Sequence, residues 1–109
     1  MTDEKQIAEI LSLYKKHGWN LSRVLLSAEL EKKLSERSEN IFGAAEIVPS
    51  QIDAAWFTRP SKYDREAYEL RHLSATPFAL FEVFEPETEE SLKKEKLREM
   101  EEQLIEKFK

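Results

Sequence analysis

The chain contains no cysteine, so it has no disulfide framework, no thiolate nucleophile and no thiolate metal site. Glycine is nearly as scarce. Gly18 and Gly43 are too few and too far apart for a P-loop or a dinucleotide-binding fingerprint, each of which needs several glycines in one short turn. No Gly-x-Ser-x-Gly nucleophile elbow occurs. The two histidines, His17 and His72, are widely separated, and neither has a second ligand at helical metal-binding spacing. No run approaches the roughly 18 consecutive apolar residues of a membrane span, and Met1 to Lys5 show no basic region ahead of an apolar stretch. Residence in the cytoplasm, away from any membrane, is the expectation. A basic excess is missing as well. The net charge of −5 argues against a dedicated nucleic-acid binder, since phosphate binding draws on clustered Lys and Arg. It leaves room for a local basic patch.

What the chain does have is a concentration of aromatic residues. Seven of the eleven (Trp56, Phe57, Tyr63, Tyr68, Phe78, Phe81 and Phe84) fall between positions 56 and 84, in a strand-like segment flanked by highly charged helical ends. The 109 residues predict a single domain spanning 1–109, long enough to bury about two-thirds of its unfolded surface.

Ile7, Ile10, Leu11 and Tyr14 follow helical spacing. Thr2 or Asp3 is placed to cap that helix, and Gly18 to end it. Trp19 to Leu26 reads as a strand, and Ala28 to Arg37 as a short helix capped by Ser27. Ile41 to Val48 reads as a strand interrupted by Gly43, at a bulge or a close backbone approach. Further strands are expected at Ile52 to Thr58, Ala67 to Leu73 and Phe78 to Phe84, with a polar loop from Arg59 to Arg65. The last strand is apolar on both faces except at Glu82, which predicts a central position in the sheet. Short connections predict an antiparallel meander. A charged helix is expected over about 86–108, with Leu92, Leu97, Met100, Leu104 and Phe108 as a narrow apolar seam. That seam suits either the domain's own sheet or a second chain in a coiled-coil homodimer. The predicted class is therefore α+β: an antiparallel sheet of four or five strands with helices packed against it, in the order α-β-α-β-β-β-β-α.

Two sets of residues could carry function. In the first, Asp53, Glu69, Arg71 and His72 lie within adjacent strands, and carboxylates beside cations could bind a divalent metal or do acid/base work. The order Asp53 followed by Glu69-Leu70-Arg71 resembles the Asp and Glu-x-Lys arrangement of metal-dependent nucleases. Arg replaces the Lys and is held charged, so it is no ready base. Cross-strand charge pairing on the solvated face of an antiparallel sheet is the leading explanation for Glu69 and Arg71. In the second set, Trp56, Arg59, Tyr63, Arg65 and Tyr68 are the residue types enriched at interface hot spots. Trp56 and Phe57 alternate, so one of them is expected to face away from the core and to need a cover, either the C-terminal helix or a partner. The leading expectation is a non-catalytic binding or protein-interaction domain with no cofactor, whose partner is another protein or a second copy. The alternative is a small metal-dependent or acid/base enzyme built on the carboxylate/Arg/His set.

Overall fold

A computed structural model describes residues 4–35 and 41–108. Its elements follow the expected chain order: α1 (Glu4–Lys16), β1 (Asn20–Leu26), α2 (Ala28–Ser35), β2 (Glu46–Pro49), β3 (Ala54–Pro60), β4 (Glu66–His72), β5 (Ala79–Phe84) and α3 (Glu90–Lys107). The proposed caps at Thr2 and Asp3, and the end of α2 toward Arg37, lie outside the described residues. Gly18 does close α1. It takes φ +85, and Trp19 N donates to Tyr14 O at 3.0 Å, the wrap-around bond that a left-handed residue after a helix permits.

The class is α+β, but the sheet is mixed rather than antiparallel. Its order is β2-β1-β3-β4-β5, and β1 pairs with β2 in parallel while the other three pairings are antiparallel. The stretch from Ser27 to Ala45, with α2 inside it, is long enough for the crossover that a parallel pair needs. β2 is also shorter than expected. Gly43 sits at φ +59, in the left-handed region, so residues 41–44 turn and the strand begins only at Glu46. Pro86 occupies the second position of a β-turn, with Thr88 N donating to Glu85 O at 3.1 Å, which delays α3 to Glu90.

Helices cover both faces of the sheet. α1 and α2 close one face around Ile7, Val24, Leu26, Leu30 and Phe57. α3 closes the other around Leu25, Trp56, Leu70, Met100 and Leu104. A bulge between Leu21 and Arg23 resets the alternation of β1, so Leu21 joins Val24 and Leu26 on the α1 face while Arg23 turns to the α3 face. The strand buried on both sides is therefore β3, where Ala54, Ala55, Trp56 and Phe57 are all buried. The expected central strand, β5, is an edge. Its Leu80 and Phe84 meet the α3 side, whereas Phe81 remains 56% exposed.

Candidate functional site

The four polar candidates do not converge. Asp53 precedes β3, and its Oδ1 accepts from Ser27 N at 2.7 Å, while Ser27 Oγ accepts from Leu30 N at 3.3 Å. Asp53 thus braces the start of α2. Glu69 and Arg71 project to the α1 face, opposite Phe57 and Ala55. Glu69 accepts a hydrogen bond from the Tyr14 hydroxyl, and the Tyr14 ring stacks on Phe57 at 4.0 Å. Burial, reinforced by that carboxylate, pushes the Tyr14 hydroxyl well above its ordinary range. Arg71 is buried and donates to the carbonyls of His72 and Ser74, which secures the β4–β5 connection.

His72 points to the opposite face, stacked on Phe108 at 3.7 Å. Its Nδ1 lies 2.9 Å from Ser74 Oγ, and that hydroxyl donates to Thr76 O at 3.0 Å. Burial holds His72 below its ordinary value, against the raising influence of Asp53. Among the described residues no three His, Cys, Asp or Glu side chains form a group that could hold a metal. The resemblance to metal-dependent nucleases has no geometric counterpart, because Asp53 and Glu69 are each tied to a different helix.

The aromatic and Arg set divides three ways. Trp56 is 3% exposed, and its indole N–H donates to Glu101 Oε2 of α3 at 2.6 Å. Tyr68 lies edge-on to Trp56 at 6.1 Å and to Phe84 at 5.3 Å, beneath Lys93 at 5.0 Å. Lys93 Nζ donates to Glu66 Oε1 at 2.6 Å. Burial alone would lower the Lys93 ammonium, but hydrogen bonding to Glu66 and Tyr68 outweighs it and raises the group. The same bond to Lys93 holds Glu66 below the usual carboxylate range. Trp56 and Tyr68 therefore anchor α3. Trp56 and Phe57 do alternate between the two faces, and the cover that Trp56 needed is the C-terminal helix α3, while Phe57 lies under α1. The seam residues Leu97, Met100, Leu104 and Phe108 pack on this same face, and Leu92 stays exposed.

Arg59 goes to the α1 face. Its Nη1 donates to His17 O at 2.9 Å, and its guanidinium sits 4.6 Å over the Trp19 ring. Tyr63 is 80% exposed at the tip of the β3–β4 loop, with φ +60. Arg65 is 5.5 Å from the Tyr63 ring and pairs with Glu85 at 2.9 Å.

The exposed end of the sheet is what strand-by-strand reading missed. His72 N donates to Phe78 O at 3.0 Å. By the alternation of an antiparallel ladder, Phe78, Leu80, Glu82 and Phe84 then aim their backbone groups at β4, and Ala79, Phe81 and Val83 aim theirs outward. Within the described chain only Val83 N finds a partner there, the Glu82 carboxylate at 3.3 Å. The two edges differ. β2 is four residues long, begins with Glu46 and ends in Pro49, the features that blunt an edge. β5 is six residues long, with no proline and one charge. Beside it, on the α1 face, runs a cleft of about 380 Å³ lined by His17, Arg59, Lys62, Ala67 and Phe81 among others.

No family model, curated protein or solved structure matches this chain. Its function is therefore argued from this surface. The signal available in sequence was the phase of Phe81, which shares a parity with Ala79 and Val83 and lies opposite Leu80 and Phe84. Reading it as exposed required knowing that α1 and α2 pack over β1 and β3 and leave Phe81 with only the edge of the Trp19 ring among the described aromatic side chains.

Proposed function

We propose that this chain is a cytoplasmic, non-catalytic protein-interaction domain that docks an extended segment of another protein along β5. The observation that carries this reading is the open β5 edge: outward-facing backbone at Ala79, Phe81 and Val83, with the Phe81 ring half out in solvent beside it. Strand addition draws affinity from main-chain hydrogen bonds and specificity from alternate side chains. Each main-chain bond contributes about 0.5–1.5 kcal/mol net, and each cross-strand side-chain pair about 0.2–1 kcal/mol. Arg59 belongs to this surface because it borders the cleft beside Phe81. Trp56 and Tyr68 contribute indirectly, by holding α3 against the back of the same sheet.

The test is selection from a displayed library of random peptides against the folded chain, followed by counter-screening on Phe81→Pro and Phe81→Lys variants. Proline removes the N–H that the edge offers and lysine charges it. Selected peptides should bind the parent chain and lose binding to both variants. Their amides and those of Ala79, Phe81 and Val83 should gain hydrogen-exchange protection together. Selected peptides that bind both variants unchanged would refute the β5 assignment.

A further inference from the structure

The cleft beside β5 says what kind of strand belongs there. Its lining contains Arg59, Lys62 and His17 and no carboxylate, in a chain whose net charge is −5. Lys15 and Lys16 close α1 immediately before His17, adding positive charge at the same end of the molecule. Arg59 is already oriented. One N–H holds the His17 carbonyl, the flat face lies on Trp19, and no carboxylate pairs with it or with Lys62 among the described residues. An arginine ordered in this way forms a new charge pair at reduced entropic cost.

The cleft is also in register with the edge. Arg59 lies opposite Ala67, and Ala67 opposite Val83, so on the α1 face only two small side chains separate Arg59 from a strand added to β5. Phe81 forms one wall of this passage and the loop at Ser61 and Lys62 the other. An acidic side chain entering beside Val83 would cross it and meet the free guanidinium N–H groups.

We infer that the segment docked on β5 is an acidic, extended stretch of a partner protein, one of whose carboxylates enters the Arg59–Lys62 cleft. This rests on the strand-docking reading of β5 and adds the charge of the partner to it. A second copy of the chain fits the edge less well. In a two-fold antiparallel pair of β5 strands, the copy's acidic run Glu85 to Glu90 passes beside Ala79, at the end away from Arg59 and Lys62. Two chains of charge −5 also repel at long range.

The experiment extends the display selection. Selected peptides should carry more Asp and Glu than the input library, interleaved with apolar residues. Synthetic copies, titrated by fluorescence anisotropy, should bind Lys62→Glu about fivefold to tenfold more weakly and weaken further with added salt. Among the described residues no carboxylate pairs with the Lys62 side chain, so this variant should fold normally; Arg59→Glu is the second variant, with its melting curve checked because Arg59 also holds His17 and Trp19. Peptides without acidic excess that are still lost on Phe81→Lys would overturn the charge assignment and leave strand docking standing. A library yielding no peptide sensitive to Phe81→Lys would remove both. Light scattering that gives twice the 12.8 kDa chain mass, reverting to one on Phe81→Lys, would assign the edge to a second copy and overturn the acidic partner.

Discussion

Replacing Leu104 with alanine tests whether α3 is part of this domain's core or an arm held in reserve for another chain. Leu104 is 0% exposed and packs with Trp56, Leu70 and Met100 against the sheet. Leucine-to-alanine changes at such sites cost about 2–5 kcal/mol, from lost transfer energy and from the cavity left behind. Alanine favours helix at least as well as leucine does, so the local helix is not weakened. We expect a loss of about 3 kcal/mol, a large share of the roughly 5–15 kcal/mol that holds a domain of this kind together. In urea this shifts the unfolding midpoint down by about 1–2 M with little change in slope. Tryptophan emission is a suitable probe in a Trp19→Phe background, because the remaining Trp56 indole is bonded to Glu101 of α3. Leu92 is the control. It lies on the same seam of the sequence yet is 58% exposed, and Leu92→Ala should change stability by no more than about 0.5 kcal/mol. A loss below about 1 kcal/mol for Leu104→Ala, or equal losses for the two variants, would refute the packing of α3 on its own sheet.

Three further outcomes follow from the same geometry. Trp56→Phe removes the indole donor and leaves Glu101, among the described residues, with Arg23 at 3.8 Å; a loss of about 1.5–3 kcal/mol in chemical denaturation is expected, as for other bonds to charged groups. His72 is held below its ordinary value of 6.5, so the unfolded chain binds the proton more readily. The stabilising contribution is complete above pH 6.5 and is lost as pH falls below it toward the folded value. Denaturation midpoints measured down through that window should fall more steeply for the parent chain than for His72→Gln. Tyr63 has φ +60 and a largely exposed ring. Tyr63→Gly should raise stability by about 0.5 kcal/mol, because relief of the left-handed conformation exceeds the added entropy of glycine in the unfolded chain.

The elements were legible where a local rule acts alone. Gly18 ends α1 because a left-handed residue is needed there and glycine supplies it at low cost. The strand expected at Ala67 to Leu73 forms as β4, Glu66–His72, because its alternating residues suit a half-buried pleat. The polar candidates looked like a cluster because Asp53 was expected inside the strand that pairs with the one carrying Glu69, Arg71 and His72, whereas β3 begins only at Ala54. Strand parity sends His72 to the face opposite Glu69 and Arg71, and Asp53 is claimed by the start of α2. Likewise the hot-spot composition of Trp56 and Tyr68 describes an interface, but one between α3 and its own sheet.

Composition and periodicity by themselves determined the class of this protein and the order of its helices and strands, because these depend on residue identity and on contacts a few positions apart. The sheet's parallel pair, the choice of β3 over β5 as central strand, and the exposure of Phe81 beside a cationic cleft depend on which surfaces meet across the whole chain. An apolar run reads the same in a strand covered on both faces and in an edge strand covered on one. Only the placement of α1, α2 and α3 separates the two, and it leaves β5 as an edge with Phe81 exposed.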